Sequence, residues 1–248
     1  MTRWVGGNRQ IRLPRTAGYL HLGTEDNNRW GEPRGGVRFF SYPRGRRDVG
    51  IALLEAGEDW MCEHGYTRAV CFPQPWKLSH YAFPHAYVSD GLDHIQALLR
   101  VHGYEKSGGE VFLDWFDMDP PSPPPVDELD VLVEIQETPG TDSRPDLTIQ
   151  ARHRGRQVGG TCILIGAGHY HSDAADMAFC DLLDVTVDFQ GKRLSLHLLL
   201  RGLLEARDRG CQHSAISTAY DNDRAFLFYS NHGYRVVDWT YEFTKTLV

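Results

Sequence analysis

Cysteine is scarce in this chain of 248 residues: Cys62, Cys71, Cys162, Cys180 and Cys211 are all there is. Their number is odd and no two form a C-x-x-C pair, which argues against a disulfide framework and for reduced thiols in a cytoplasm. Long apolar runs are also missing. No stretch approaches the roughly 20 residues of a membrane span, so no membrane partner is expected. The opening "MTRWVGGNRQIRLPRTAG" is basic but lacks the apolar core of a secretory signal. Positive charge is short as well. Twenty-six Lys and Arg against 33 Asp and Glu leave a net charge of −7. An acidic surface repels a nucleic-acid backbone and suits a cationic partner. Finally, no G-x-S-x-G elbow is present, so nothing marks a Ser-His-Asp nucleophile.

Proline is concentrated rather than scarce. "DPPSPPPVDE", residues 119–128, holds five prolines within six positions. Such a run neither continues a helix nor forms a central strand. It reads as a linker between residues 1–118 and residues 129–248, or else as a long surface loop. The linker is the preferred reading because each side has enough chain for a small core.

The two halves share an order of elements. In the first, "GVRFFSYP" reads as a strand, followed by a turn and a helix with Leu53, Ala56, Gly57, Trp60 and Met61 at helical spacing. In the second, "AFCDLLDVTV" is a strand, "DFQGKRLS" a turn, and the next helix carries Leu196, Leu199, Leu200, Leu203 and Leu204. Gly65, Gly103, Gly210 and Gly233 stand where the four helices should stop. Each half then runs strand, helix, G-Y, strand. In the last helix Phe226, Leu227 and Phe228 read as core.

With these residues in view, the second half resembles the GNAT acetyltransferase superfamily. Gln190, Gly191, Lys192, Arg193, Leu194 and Ser195 align with that family's R/Q-x-x-G-x-G/A phosphate motif, with Arg193 in place of the second glycine. Asn222, Ala225, Phe228, Tyr229, Gly233 and Tyr234 align with its later helix. The resemblance spans about residues 129–248. A weaker one spans residues 36–118, where "RDVGIA" supplies Arg47, Gly50 and Ala52 in the same motif. The implied fold class is α+β: two tandem domains, each a mixed, mostly antiparallel sheet flanked by helices. The competing architecture is one α+β domain with accidental motifs.

The physics under the motif does not depend on the name. A helix start offers unpaired N–H groups and a positive dipole end, and small residues let a pyrophosphate come close. The resemblance makes that pyrophosphate part of acetyl-CoA, the cosubstrate. Arg193 either crosses the turn and blocks it, or swings outward and contacts a phosphate oxygen. Whether residues 190–195 or 47–52 hold the coenzyme stays open at this level.

The resemblance also implies roles. Tyr229 is the candidate proton donor to the departing thiolate, with packing against the sheet as its plainer role. Asp181 and Asp184 are candidate bases. Their odd separation puts them on opposite strand faces, and the family pattern ranks Asp181 first. Backbone groups around Val185 and Val187 would pair with the pantetheine arm, and an N–H near Val185 would meet the oxyanion. Asn222 caps its helix or contacts the coenzyme, or does both. His169, His171 and Asp173 form an incomplete ligand set, so no metal is expected. His80 and His85 sit in an aromatic loop without a counterpart in the second half. The expected activity is acetyl transfer to a primary amine of a small molecule or peptide. The first half would shape the acceptor pocket or a homodimer interface. The alternative is a non-catalytic acyl-CoA-binding or scaffold protein.

Overall fold

The computed structural model describes residues 3–5, 8–12, 18–25, 34–73, 87–139, 146–154, 157–167 and 174–247. The chain divides into two units. Unit 1 is residues 1–110 together with 238–248, and unit 2 is residues 111–237. No described helix is long and apolar enough to cross a membrane.

In unit 1 the strands β1 (Arg3–Val5), β2 (Asn8–Arg12), β3 (Tyr19–Glu25) and β4 (Arg34–Ser41) form an antiparallel series. Helix α1 (Arg47–Glu63) leads to β5 (Arg68–Cys71), which pairs parallel to β4. Next come the two-residue β6 (Val88–Ser89), α2 (Asp93–Val101) and β7 (Glu105–Trp115), whose first residues, to Glu110, belong to this unit. Helix α1 buries Val49, Gly50, Leu53, Leu54, Gly57, Trp60 and Met61. That three-and-four spacing gives one apolar stripe along the helix. Trp60, Met61 and their neighbours pack with Leu20, Leu22, Phe40, Leu98 and Leu99 in a common core.

Unit 2 starts with the rest of β7 and continues through β8 (Val131–Thr138), β9 (Asp146–His153), β10 (Gln157–Gly166) and β11 (Met177–Val185), which pair antiparallel in series. Helix α3 (Leu194–Asp208) returns the chain to β12 (His213–Ala219), which lies parallel to β11. Helix α4 (Asp223–Asn231) then leads into β13 (Arg235–Thr246). Within unit 2, β12 lies between β11 and β7. Helix α3 packs on β9, β10 and β11 through Leu194, Leu198, Leu199, Leu200 and Leu203. In each unit the strands pair both parallel and antiparallel, so the class is α+β. Gly65, Gly103, Gly210 and Gly233 all have positive φ just beyond the four helix ends.

Three features differ from the sequence reading. The units divide at residues 110/111, not at the prolines, and residues 119–128 lie within unit 2. There the segment rests on α3. His197 Nδ1 donates to the Pro124 carbonyl at 2.7 Å, Arg207 pairs with Asp119 at 2.6 Å, and Val126 is buried. Prolines enforce an extended path but leave every carbonyl free to accept, so the run suits a strap as well as a spacer. Residues 238–248, most of the last strand, belong to unit 1, where β13 pairs antiparallel with β5 and β6. Leu227, read as core, is 63% exposed, because α4 buries only Tyr229 fully.

Candidate active site

The site begins where two strands part. Pairing of β11 with β12 runs from Met177↔His213 to Cys180↔Ile216 and then stops, although β11 continues to Val185 and β12 to Ala219. On its other side β11 stays paired with β10, with a register shift: Ile163 faces Leu182 and Leu164 faces Cys180. Asp181 is therefore the extra residue of a β-bulge. A bulge bends its strand and re-aims the residues beyond it, and such features gather beside active sites.

The opening is a cleft of about 330 Å³. Leu183, Asp184 and Val185 line it from the strand, and Gln190, Gly191 and Ser195 from the turn. Asn222, Arg224, Ala225, Phe228 and Tyr229 line it from α4. The Thr186 N–H donates to Gly159 of β10. Backbone groups alternate along a strand, so those of Val185 face away from β10, into the opening. The Val185 carbonyl accepts from Gln190 Nε2 at 3.1 Å, which pins the turn to the strand end.

The turn itself is well suited to an anion. Gly191 has φ +72°, a conformation that glycine adopts without steric cost. Arg193 is the N-cap of α3, left-handed at φ 63° and ψ 8°, and it makes no side-chain capping bond. No acid stands in the first helical turn. The first N–H groups of α3 thus keep their donor capacity at the cleft floor beside Ser195. Arg193 is exposed and does not line the cleft, so it does not block it. Lys192 is also exposed, its ammonium 5.8 Å from the Phe189 ring centre. The Leu194 side chain is core, leaving only its backbone for a ligand.

Tyr229 is 6% exposed, and among the described residues its phenol makes no hydrogen bond. Burial pushes its proton affinity up, and the neighbouring Cys180 and Cys162 thiols add to this. Those two sulfurs lie 3.9 Å apart in the core. Asn222 Oδ1 accepts from the Ala225 N–H at 3.2 Å, so it caps α4 while lining the cleft.

Several candidates separate from this group. Asp184 lines the cleft and Asp181 does not, reversing their expected rank. In keeping with their odd separation, one of the pair reaches the cleft and the other does not. Val187 is 81% exposed in a 3-10 turn, so it does not extend the strand edge. Arg47, Gly50 and Ala52 lie inside α1, which already begins at Arg47. Gly50 is explained by packing: a Cβ there would stand 2.8 Å from Leu98 and from the Tyr42 ring. By helix start, the counterpart of Arg193 is Arg46, the N-cap of α1. The true counterpart of the second-half turn is therefore "PRGR", residues 43–46. In that turn Arg44 pairs with Asp93 at 2.6 Å and Arg46 with Asp48 at 2.7 Å. His80, His85, His169, His171 and Asp173 lie outside the described residues.

Three cleft residues escaped the sequence reading, Leu183 among them. Phe228 reads as core from composition, yet it is half-buried and lines the opening. Arg224 gave no periodic signal. Its place two residues after the cap of a helix whose start shares the cleft with the Gln190–Arg193 turn was the available cue.

Residues 110–234 match the model of the acetyltransferase (GNAT) family. No curated protein matches the chain. Among solved structures, the chain is similar to a tandem GNAT protein from the clavulanic acid biosynthesis pathway, at 17% identity and TM-score 0.67, covering 97% of this chain and 82% of that one. It is also similar to a GCN5-related N-acetyltransferase from Sphaerobacter thermophilus, at 15% identity and TM-score 0.61, covering 92% and 76%. A third is the glucosamine N-acetyltransferase region of a fungal multi-domain GH3 β-N-acetylglucosaminidase, at 14% identity and TM-score 0.64, covering 92% and 31%.

Proposed function

The chain belongs to the acetyltransferase (GNAT) family, and on that premise we propose that unit 2 moves an acetyl group from acetyl-CoA directly to a primary amine of a small molecule or peptide. One observation carries this reading: the opening between β11 and β12 joins an uncapped helix N-terminus to a buried tyrosine in one cleft. Gly191, Ser195 and the first N–H groups of α3 would receive the pyrophosphate. The free edge of β11 at Leu183 and Val185 would pair with the pantetheine arm as an added strand does.

The chemistry has three requirements, and each has a candidate group here. The amine must be neutral to attack, and Asp184 is the carboxylate in the cleft that would take its proton, directly or through water. The carbonyl oxygen gains charge, and the Val185 N–H would donate to it. The departing thiolate needs a proton, which Tyr229 would supply. Its raised proton affinity keeps the phenol loaded throughout the working pH range. An acidic chain with Asp184 at the opening favours a cationic amine as acceptor.

The test is to incubate the full chain with acetyl-CoA and a panel of small cationic amines and lysine peptides, following thiol release and product mass. Transfer to one of them, lost in Tyr229→Phe while the variant still binds coenzyme A, is the expected result. Tight coenzyme binding with no transfer to any amine would favour the non-catalytic reading.

A further inference from the structure

Arg224 stands in the first turn of α4 and lines the cleft. It is exposed, and among the described residues its guanidinium makes no ion pair or hydrogen bond. Several arginines of unit 2 are engaged, Arg152 with Glu134, Arg201 with Glu205, Arg207 with Asp119, and Arg209 with Glu137 and Glu205; Arg193 and Arg235 are unpaired among the described residues, as Arg224 is, but they do not line the cleft. Acids are close at hand for Arg224 too, since Asp221 and Asp223 flank Asn222 in sequence. It pairs with neither.

Charge balance gives this residue a purpose. Coenzyme A carries a pyrophosphate and a separate phosphate on the ribose 3′ oxygen. The turn at Gly191 and the start of α3 offer backbone donors for the first of these only, because a helix terminus acts within its first turn. The second brings nearly two negative charges to the surface of a chain whose net charge is −7. It therefore needs its own cation. A guanidinium is the side chain best shaped for it, with planar paired N–H groups that match two phosphate oxygens.

We propose that Arg224 binds the ribose 3′-phosphate and makes unit 2 selective for coenzyme A over 3′-dephospho-coenzyme A. The proposal rests on unit 2 being the acyl-CoA site. It assigns to α4 a share of nucleotide recognition separate from the turn of α3.

The experiment is calorimetric titration of the full chain with coenzyme A and with 3′-dephospho-coenzyme A, comparing the parent with Arg224→Gln and Arg224→Lys. The parent should prefer coenzyme A by roughly tenfold, the scale of one charge-assisted contact at a partly exposed site. Arg224→Gln should weaken coenzyme A alone and bring the ratio within about twofold of unity. Unchanged affinity for the dephospho form doubles as proof that the variant is folded. Arg224→Lys should keep part of the preference, which should shrink as salt is raised. Equal weakening of both nucleotides in Arg224→Gln would overturn the proposal, placing the arginine on the pyrophosphate. An undiminished preference in that variant would overturn it as well. If the parent binds neither nucleotide, the reading of unit 2 as the acyl-CoA site fails first, and the role of Arg224 falls with it.

Discussion

Tyr42 and His94 hold each other twice. The Tyr42 phenol donates to the His94 carbonyl at 2.8 Å, and His94 Nε2 donates to the Tyr42 carbonyl at 3.2 Å. Arg44 adds a bond to the Gly91 carbonyl at 3.1 Å and its pair with Asp93. Together these tie the turn before α1 to the start of α2. The corresponding gap in unit 2, between the turn at residues 190–193 and the start of α4, is the open cleft. The same succession of elements is thus latched in one unit and open in the other.

The latch predicts one coenzyme per chain. Calorimetry should give a stoichiometry near one, and Arg47→Ala should leave the affinity within about twofold. Two equivalent sites per chain would contradict this directly.

Removing the phenol in Tyr229→Phe should lower kcat by about 10²–10⁴-fold, the usual range for a lost acid–base group, with little change in coenzyme affinity. Burial raises the phenol's pKa, so its ionisation lies above the ordinary tyrosine range. A kcat profile of the parent should therefore show no tyrosine limb up to about pH 10. A falling limb near pH 9 that vanishes in the Phe variant would refute this.

Arg193 occupies a left-handed conformation that disfavours most side chains. Arg193→Gly should keep or raise stability by up to about 1 kcal/mol, since Gly removes the strain but loosens the unfolded chain. Coenzyme affinity should change less than threefold, because Arg193 lies outside the cleft lining. A tenfold loss in affinity would make Arg193 a phosphate ligand.

Gly233 has φ +99°, and a Cβ there would stand 2.6 Å from the Trp115 ring. Gly233→Ala should cost about 2–4 kcal/mol in urea unfolding, combining backbone strain with overpacking. A loss below 1 kcal/mol would mean that Trp115 moves aside freely.

Asp114 is 4% exposed and its Oδ1 has no hydrogen-bond partner. Burial raises its pKa to about 6, partly offset by His213. The folded value lies above the unfolded one, so this group's contribution is complete at low pH and is lost as pH rises through about 6. Asp114→Asn should match the parent near pH 4 and exceed it by about 1–3 kcal/mol at pH 8. A constant difference at both pH values would argue against it.

Much of unit 2 was legible because its signals are local. The turn at Gln190–Arg193 and the glycines after each helix follow from spacing and φ preference alone; the apolar stripe of α3 was placed only in part, since Leu196 and Leu204 are half-buried and Leu194 and Leu198 are buried in their stead. The bulge at Asp181 was hidden, since it exists only in the pairing of β11 with β10. "RDVGIA" misled because a motif fixes residue types and not where the helix starts; α1 begins one turn earlier than that motif requires. The exposure of Leu227 depends on which face of α4 meets the sheet, and a nine-residue helix gives little periodicity to read.

The ownership of residues 238–248 has a temporal consequence. Unit 2 is continuous in sequence, whereas unit 1 needs a strand that is translated after all of unit 2. Domains usually fold in the order in which they leave the ribosome. Here the order in which the units become complete is inverted. The segment translated first must wait, its β5 edge unpaired, until β13 arrives, and unit 2 has its full set of residues before unit 1 does. A chain stalled or cut near residue 237 would carry a complete cleft beside an N-terminal unit without its closing strand, a species exposed to the quality-control machinery of the cell.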